Sequence, residues 1–245
     1  MFYGYNHVHM ETSSNILLSA LFASAVTFLL AFWVAETIVR KAHERYVDIY
    51  KTFPVLPEDI VMLGDSITDL TRWHELIPGV AIKNRGISGD TTRGVLERLD
   101  LILQGQPLAV FILIGTNDLP WYVFSSDQKI LARYEVILQR FEQESPGTQV
   151  FVQSILPRTW PYAKRIQKIN RRLEALAQRY NDTYIDLFSH FAGPGGAIRR
   201  EFSNDRLHLM ASGYRLWVKI IRPYLDELVV EQEKRRAAKP AAPTK

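Results

Sequence analysis

The sequence predicts a three-layer α/β/α domain around a five-stranded parallel sheet, preceded by one N-terminal transmembrane helix. Three observations predict it. Short apolar runs recur at Ile60–Leu63, Val80–Ile82, Leu108–Ile114, Val150–Ile155 and Tyr184–Leu187. Helical patterns fill the gaps and the end, over Thr92–Leu103, Gln128–Glu144, Ala163–Arg179 and Ala211–Val230, and helices between short apolar strands imply a parallel sheet covered on both faces. Ahead of all this lie 20 consecutive residues without a charge, Ile16 to Ala35.

That uncharged run is read first, as it comes first in the chain. At about 1.5 Å rise per residue it spans roughly 30 Å, the thickness of bilayer hydrocarbon. A cleaved signal peptide needs a basic stretch before it and small residues at the cut. Met1 to Asn15 holds no Lys or Arg, and Trp33 stands where a small residue is wanted. The expected layout is a short tail over 1–15, a transmembrane anchor over 16–39, and a juxtamembrane helix and linker over 40–57. The helix continues to about Lys51, and Pro54 and Pro57 stiffen the linker. Arg40, Lys41 and Arg45 follow the span and nothing basic precedes it, so the charge bias places the rest of a membrane protein in the cytoplasm.

The main domain is expected over 58–230, and a disordered basic tail over 231–245. The chain carries a net charge of +4. Of this, +3 sits in the tail, which has five Lys/Arg against two Glu. A nucleic-acid binder carries its basic excess on a folded face, so no nucleic-acid partner is expected. The absence of cysteine excludes disulfides, thiolate metal sites and a Cys nucleophile.

The chemistry gathers at strand ends. Ile60 to Leu63 read as a buried strand that stops at Gly64, and Asp65, Ser66 and Thr68 crowd the next turn. Open α/β sheets bind ligands at the carboxyl ends of their strands, which makes Ser66 a nucleophile candidate near a helix N-terminus. Asp and Ser are also common helix caps, and these residues alone leave both readings open. After the second run comes NRGISGDTT, Asn84 to Thr92, whose glycines allow a tight turn with exposed N–H groups. It matches neither the dinucleotide nor the P-loop pattern. After the third run, IGTNDLPWY places the amide of Asn117 at a strand end. Before the last helix, Asp205 and His208 are three residues apart in FSNDRLHLMASGY, so one turn brings both side chains together. An Asp there fixes the His tautomer and stabilises the imidazolium. His74 and His190 lack ligand-like spacing with His208, so no metal is expected.

Taken in order, GDSIT, NRGISGDT, GTND and DRLH resemble the blocks of the SGNH (GDSL-type) hydrolase superfamily over about residues 58–228. The wording, with SILPR and DRLHLMASGY, is similar to its platelet-activating-factor acetylhydrolase-like and sialate O-acetylesterase-like branch. The resemblance implies a flavodoxin-like sheet, no cofactor, and hydrolysis of carboxylic esters through an acyl-enzyme. It implies Ser66 as nucleophile, His208 as base oriented by Asp205, and an oxyanion hole from the N–H groups of Ser66 and Gly89 with the Asn117 side chain. It also sets an exported domain against the cytoplasmic charge bias.

The substrate pocket is expected to include Leu119, Trp121, Tyr122 and Trp160, in loops that should flank Ser66. A short-chain acyl or O-acetyl ester is expected. A lysophospholipase or thioesterase on lipids, an O-acyltransferase, and an inactive binding protein of the same fold are the alternatives. The sequence does not give the oligomeric state.

Overall fold

The computed structural model describes residues 3–237. Helix α1 (Tyr3–Thr52) opens the chain. Up to Tyr46 it forms one compact unit, and the chain from Val47 onward forms another. Within the first unit the Thr27 and Thr37 hydroxyls bond back to the carbonyls of Ala23 and Trp33, which satisfies them inside the helix. Arg40 pairs with Glu44 at 2.6 Å.

The expected anchor is corrected. Among the described residues no helix is long and apolar enough to cross a membrane. The uncharged run is not a separate span, nor is 1–15 a separate tail. From Tyr3 both belong to one continuous helix that runs on through the charged Arg40–Glu44 turn. The membrane localisation and the membrane partner rested on that span and are withdrawn with it.

In the second unit, strands β1 (Ile60–Gly64), β2 (Ile82–Gly86), β3 (Ala109–Leu113), β4 (Gln149–Gln153) and β5 (Thr183–Ile185) form one sheet in the order β2-β1-β3-β4-β5. Every pairing is parallel. The five-stranded parallel sheet is thus as the sequence predicts.

Successive residues of the central strands face opposite ways. Val61, Leu63, Val110 and Ile112 pack against α4 (Thr92–Glu97), α5 (Asp100–Leu103), α6 (Asp127–Glu144) and α7 (Trp160–Arg179). Ile60, Met62, Phe111 and Leu113 pack against α3 (Trp73–Leu76), α8 (Phe188–Phe191) and α9 (Ala211–Ala237). The short helix α2 (Ser66–Asp69) follows β1 directly. Three layers result, with both sheet faces covered.

Three boundaries differ from expectation. The second strand is the polar segment IKNRG, not Val80–Ile82, because β2 is an edge strand and needs no continuous apolar run. The helix expected over Thr92–Leu103 breaks at Arg98 into α4 and α5, and Arg98 points inward. Helix α9 runs past Val230 to Ala237, so the expected tail is helical at its start. Its Gln232 is only 1% exposed, donating to the carbonyls of Glu58 and Ala81 and accepting from the Ala81 N–H. Residues 1–2 and 238–245, with the rest of that tail, lie outside the described residues.

Candidate active site

The strand order puts β1 between β2 and β3, and Gly64 pairs with Gly86 on one side and Leu113 on the other. The three loops that leave these strands are therefore neighbours at the carboxyl edge of the sheet. Ser66, Gly89 and Asn117 lie in them, two, three and four residues past Gly64, Gly86 and Leu113.

Gly64 allows the turn out of β1. A Cβ there would meet Thr68 Oγ1 at 2.3 Å and the Leu113 carbonyl at 2.4 Å, and the carbonyl is backbone that cannot yield. Asp65 then caps α2 by accepting the Ile67 N–H at 3.0 Å. Ser66 occupies the first helical position, where the N–H has no acceptor four residues back within the helix.

The fourth loop brings in His208. Ser66 Oγ lies 3.0 Å from His208 Nε2, and His208 Nδ1 lies 2.6 Å from Asp205 Oδ2. The other Asp205 oxygen accepts the N–H groups of Leu207 (2.9 Å) and His208 (2.8 Å) and the Ser203 hydroxyl (3.2 Å). Arg206, between the pair, stands at φ +68°, a left-handed conformation uncommon for a residue with a Cβ and one that marks functional turns. Partial burial pushes the Asp205 carboxyl up, but the bonds from the His208 ring and from the two backbone N–H groups outweigh it. They hold the group well below the usual carboxylate range, so Asp205 stays ionised beside the ring.

Gly89 has φ +84°, where a side chain would be strained. Asn117 follows Gly115, itself at φ +119°, and donates one amide N–H to the Asp90 carbonyl at 2.9 Å. That bond ties the third loop to the second and orients the amide, whose second N–H remains for a ligand.

Beneath these loops lie charges whose role the sequence does not disclose. Arg98 and Asp90, with side chains 2% exposed, pair at 2.8 Å. Arg98 also donates to the carbonyls of Gly64 and Arg85, which joins the ends of β1 and β2 to the Asp90 turn. Asp118 is fully buried and accepts from the Thr92 N–H and hydroxyl, the Ser125 hydroxyl and Arg133. Nothing in the sequence separates these arginines from others on helical faces. Only a position next to the Asp90 and Asp118 turns hints at partners.

Asp65 is 1% exposed. Burial raises its pKa to about 7, with Asp90 and Asp118 adding to the rise, while the Ile67 N–H and Arg158 oppose it. A carboxyl whose folded pKa exceeds its unfolded value binds its proton more tightly when folded, so it stabilises at low pH. That contribution is lost as pH climbs from about 4 to about 7. Asp65→Asn keeps an oxygen for the cap and has no proton to lose. Its stability relative to the parent is therefore expected to improve between pH 5 and pH 8 by about 3 kcal/mol, since each tenfold difference in proton affinity is worth ~1.4 kcal/mol. Urea melts at the two pH values check this.

The four residues expected to line a substrate pocket divide. Trp121, Tyr122 and Trp160 are exposed, by 81%, 58% and 72%. Leu119 is corrected: at 1% exposure it packs into the core against the α4–α7 layer, so it holds its loop down. Arg165 clamps the same loop, donating to the Leu119 and Ser125 carbonyls and pairing with Asp127. Among the described residues no group of three or more His, Asp or Glu could hold a metal ion.

The model of the GDSL-like Lipase/Acylhydrolase family matches residues 62–216, a span that contains every one of these loops. Platelet-activating factor acetylhydrolase IB subunit alpha2 from Rattus norvegicus is 30% identical over 183 residues, 71% of this chain and 76% of that protein. A Streptococcus pneumonia structure described as a platelet activating factor superposes with a TM-score of 0.72 at 30% identity, covering 80% of this chain and 98% of that one. The lipase/acylhydrolase from Enterococcus faecalis superposes with a TM-score of 0.57 at 25% identity, covering 71% and 96%.

Proposed function

The chain belongs to the GDSL-like lipase/acylhydrolase family of the SGNH hydrolases and is a serine ester hydrolase, and on that footing we propose that it cleaves short-chain acyl esters through an acyl-enzyme on Ser66. The observation that carries this reading is the relay from Ser66 Oγ to His208 Nε2 at 3.0 Å and from His208 Nδ1 to Asp205 at 2.6 Å.

In this reading His208 takes the Ser66 proton as Oγ attacks the ester carbonyl, and Asp205 stabilises the imidazolium that forms. The carbonyl oxygen becomes an oxyanion, which the N–H groups of Ser66 and Gly89 and the second amide N–H of Asn117 receive. The intermediate collapses as His208 returns the proton to the departing alcohol. Water, deprotonated by the same His208, then releases the acid and restores Ser66.

The preference for a short acyl group draws on the rat relative, which is named an acetylhydrolase. Exposed Trp121, Tyr122 and Trp160 supply aromatic surface to the alcohol portion. A fluorophosphonate probe is expected to label Ser66 and no other serine. Across p-nitrophenyl esters, kcat/KM is expected to fall from acetate to palmitate; a rate that climbs along the series would overturn the short-chain reading while leaving the nucleophile in place.

A further inference from the structure

Arg158 ends the run SILPR in the loop after β4 and takes no part in the relay. Strand β4 lies beside β3, on the side away from β1, so this loop borders the one that carries Asn117. The guanidinium reaches back to it, donating from Nη1 to the Thr116 carbonyl at 3.1 Å, and lies 4.7 Å over the Tyr162 ring. Its backbone carbonyl is held by the Ile198 N–H at 3.0 Å.

This arginine differs from the ion-paired arginines around the site: its charge pulls the Asp65 pKa down, but no carboxylate of the described residues is in contact with it. Arg98 faces Asp90, Arg133 faces Asp118 and Arg165 faces Asp127. Arg158 is half-buried, has no carboxylate within 4.0 Å among the described residues, and keeps a buried Nε without a hydrogen-bond partner. Arg85, also without a carboxylate, lies below the Tyr50 ring and spends its terminal nitrogens on the carbonyls of Asn84 and Phe53. Removing a guanidinium from water without a paired charge is costly. Its planar donor fork matches a carboxylate or a phosphate. Its charge acts on the Asp65 carboxyl beside Ser66 and it bonds to the Thr116 carbonyl beside Asn117, so a group contacting Arg158 borders the candidate site.

We propose that Arg158 is a specificity residue that binds an anionic group, carboxylate or phosphate, on the alcohol portion of the ester. This rests on the short-chain esterase reading, since an acyl group such as acetate has no length to carry the anion. The substrate class is then an acylated hydroxyl on a small anionic molecule, with the charge a few bonds from the ester oxygen.

The test compares para-carboxyphenyl acetate, para-acetoxyphenyl phosphate and the neutral para-(methoxycarbonyl)phenyl acetate on wild type, Arg158→Gln and Arg158→Lys. Loss of a charge-assisted contact amounts to about 10–100-fold in kcat/KM. Arg158→Gln is expected to lower kcat/KM for at least one anionic ester by that factor relative to the neutral ester, with Arg158→Lys in between. Whichever anionic ester shows the loss identifies the anion. Equal losses on all three esters would overturn the proposal and leave Arg158 as a brace for the Thr116 carbonyl; unchanged rates on all three would overturn it as well. Wild-type inactivity on every ester would instead sink the esterase reading on which the proposal depends.

Discussion

Ser66→Ala is expected to lower kcat for p-nitrophenyl acetate by roughly 10⁴–10⁶-fold, to the residue of catalysis that binding and oxyanion donors supply alone. His208→Ala should fall to a similar level. The double variant should fall no further, because nucleophile and base act as one unit and their losses do not add. Ser66 is buried at 6% exposure and its hydroxyl bonds to His208, so the substitution removes one atom and opens no large cavity. Circular dichroism and the melting temperature should stay near those of the parent. Full activity in the purified Ser66→Ala protein would put the nucleophile elsewhere.

Asn117→Ala is expected to reduce kcat by on the order of 10²–10³ with a much smaller change in KM, the pattern for a donor whose bond strengthens as charge develops. The bond from Asn117 to the Asp90 carbonyl is lost too, and a shift of the Asp90 turn would mimic part of the effect. Asn117→Asp keeps the size but loses the same bond and brings a negative charge to the oxyanion, so it should be at least as slow. A KM and melting temperature held near the parent in Asn117→Ala would assign the loss to the donor and not to the turn. If kcat for Asn117→Asp stayed near the parent value, the amide would have no place in the oxyanion hole.

The fold is legible in the sequence wherever burial and periodicity agree. β1 and β3 are apolar throughout because they lie inside the sheet, with helices on both faces, and they read as such. Strand β2 does not, because an edge strand tolerates Lys83, Asn84 and Arg85, and the nearby apolar Val80 draws the reading off register. The carboxyl-edge residues are legible for a related reason. Close approach at Gly64 and a positive φ at Gly89 call for glycine, and Ser66, Asn117 and the Asp205–His208 pair stand out by their places in the turns and by the order of the family's blocks. The supports beneath them are hidden. Arg98, Asp118 and Arg133 look like solvated helix and loop charges until the structure brings partners from distant segments to meet them. Gln232 reads as part of a disordered tail for the same reason, since its acceptors lie more than 150 positions earlier in the chain.

That glutamine has a consequence for chain connectivity. The carbonyls it holds belong to residues just ahead of β1 and β2, and Arg235 on the same helix donates to the Pro57 carbonyl at 2.9 Å. The segment that enters the α/β unit and the helix that leaves it are therefore stitched together at the amino-terminal edge of the sheet. Ser66 and its partners occupy the opposite edge. Ends so close can be joined by a short loop at modest entropic cost. The unit thus has the topology of a nearly closed ring, suited to circular permutation, with its seam on the far side from the chemistry.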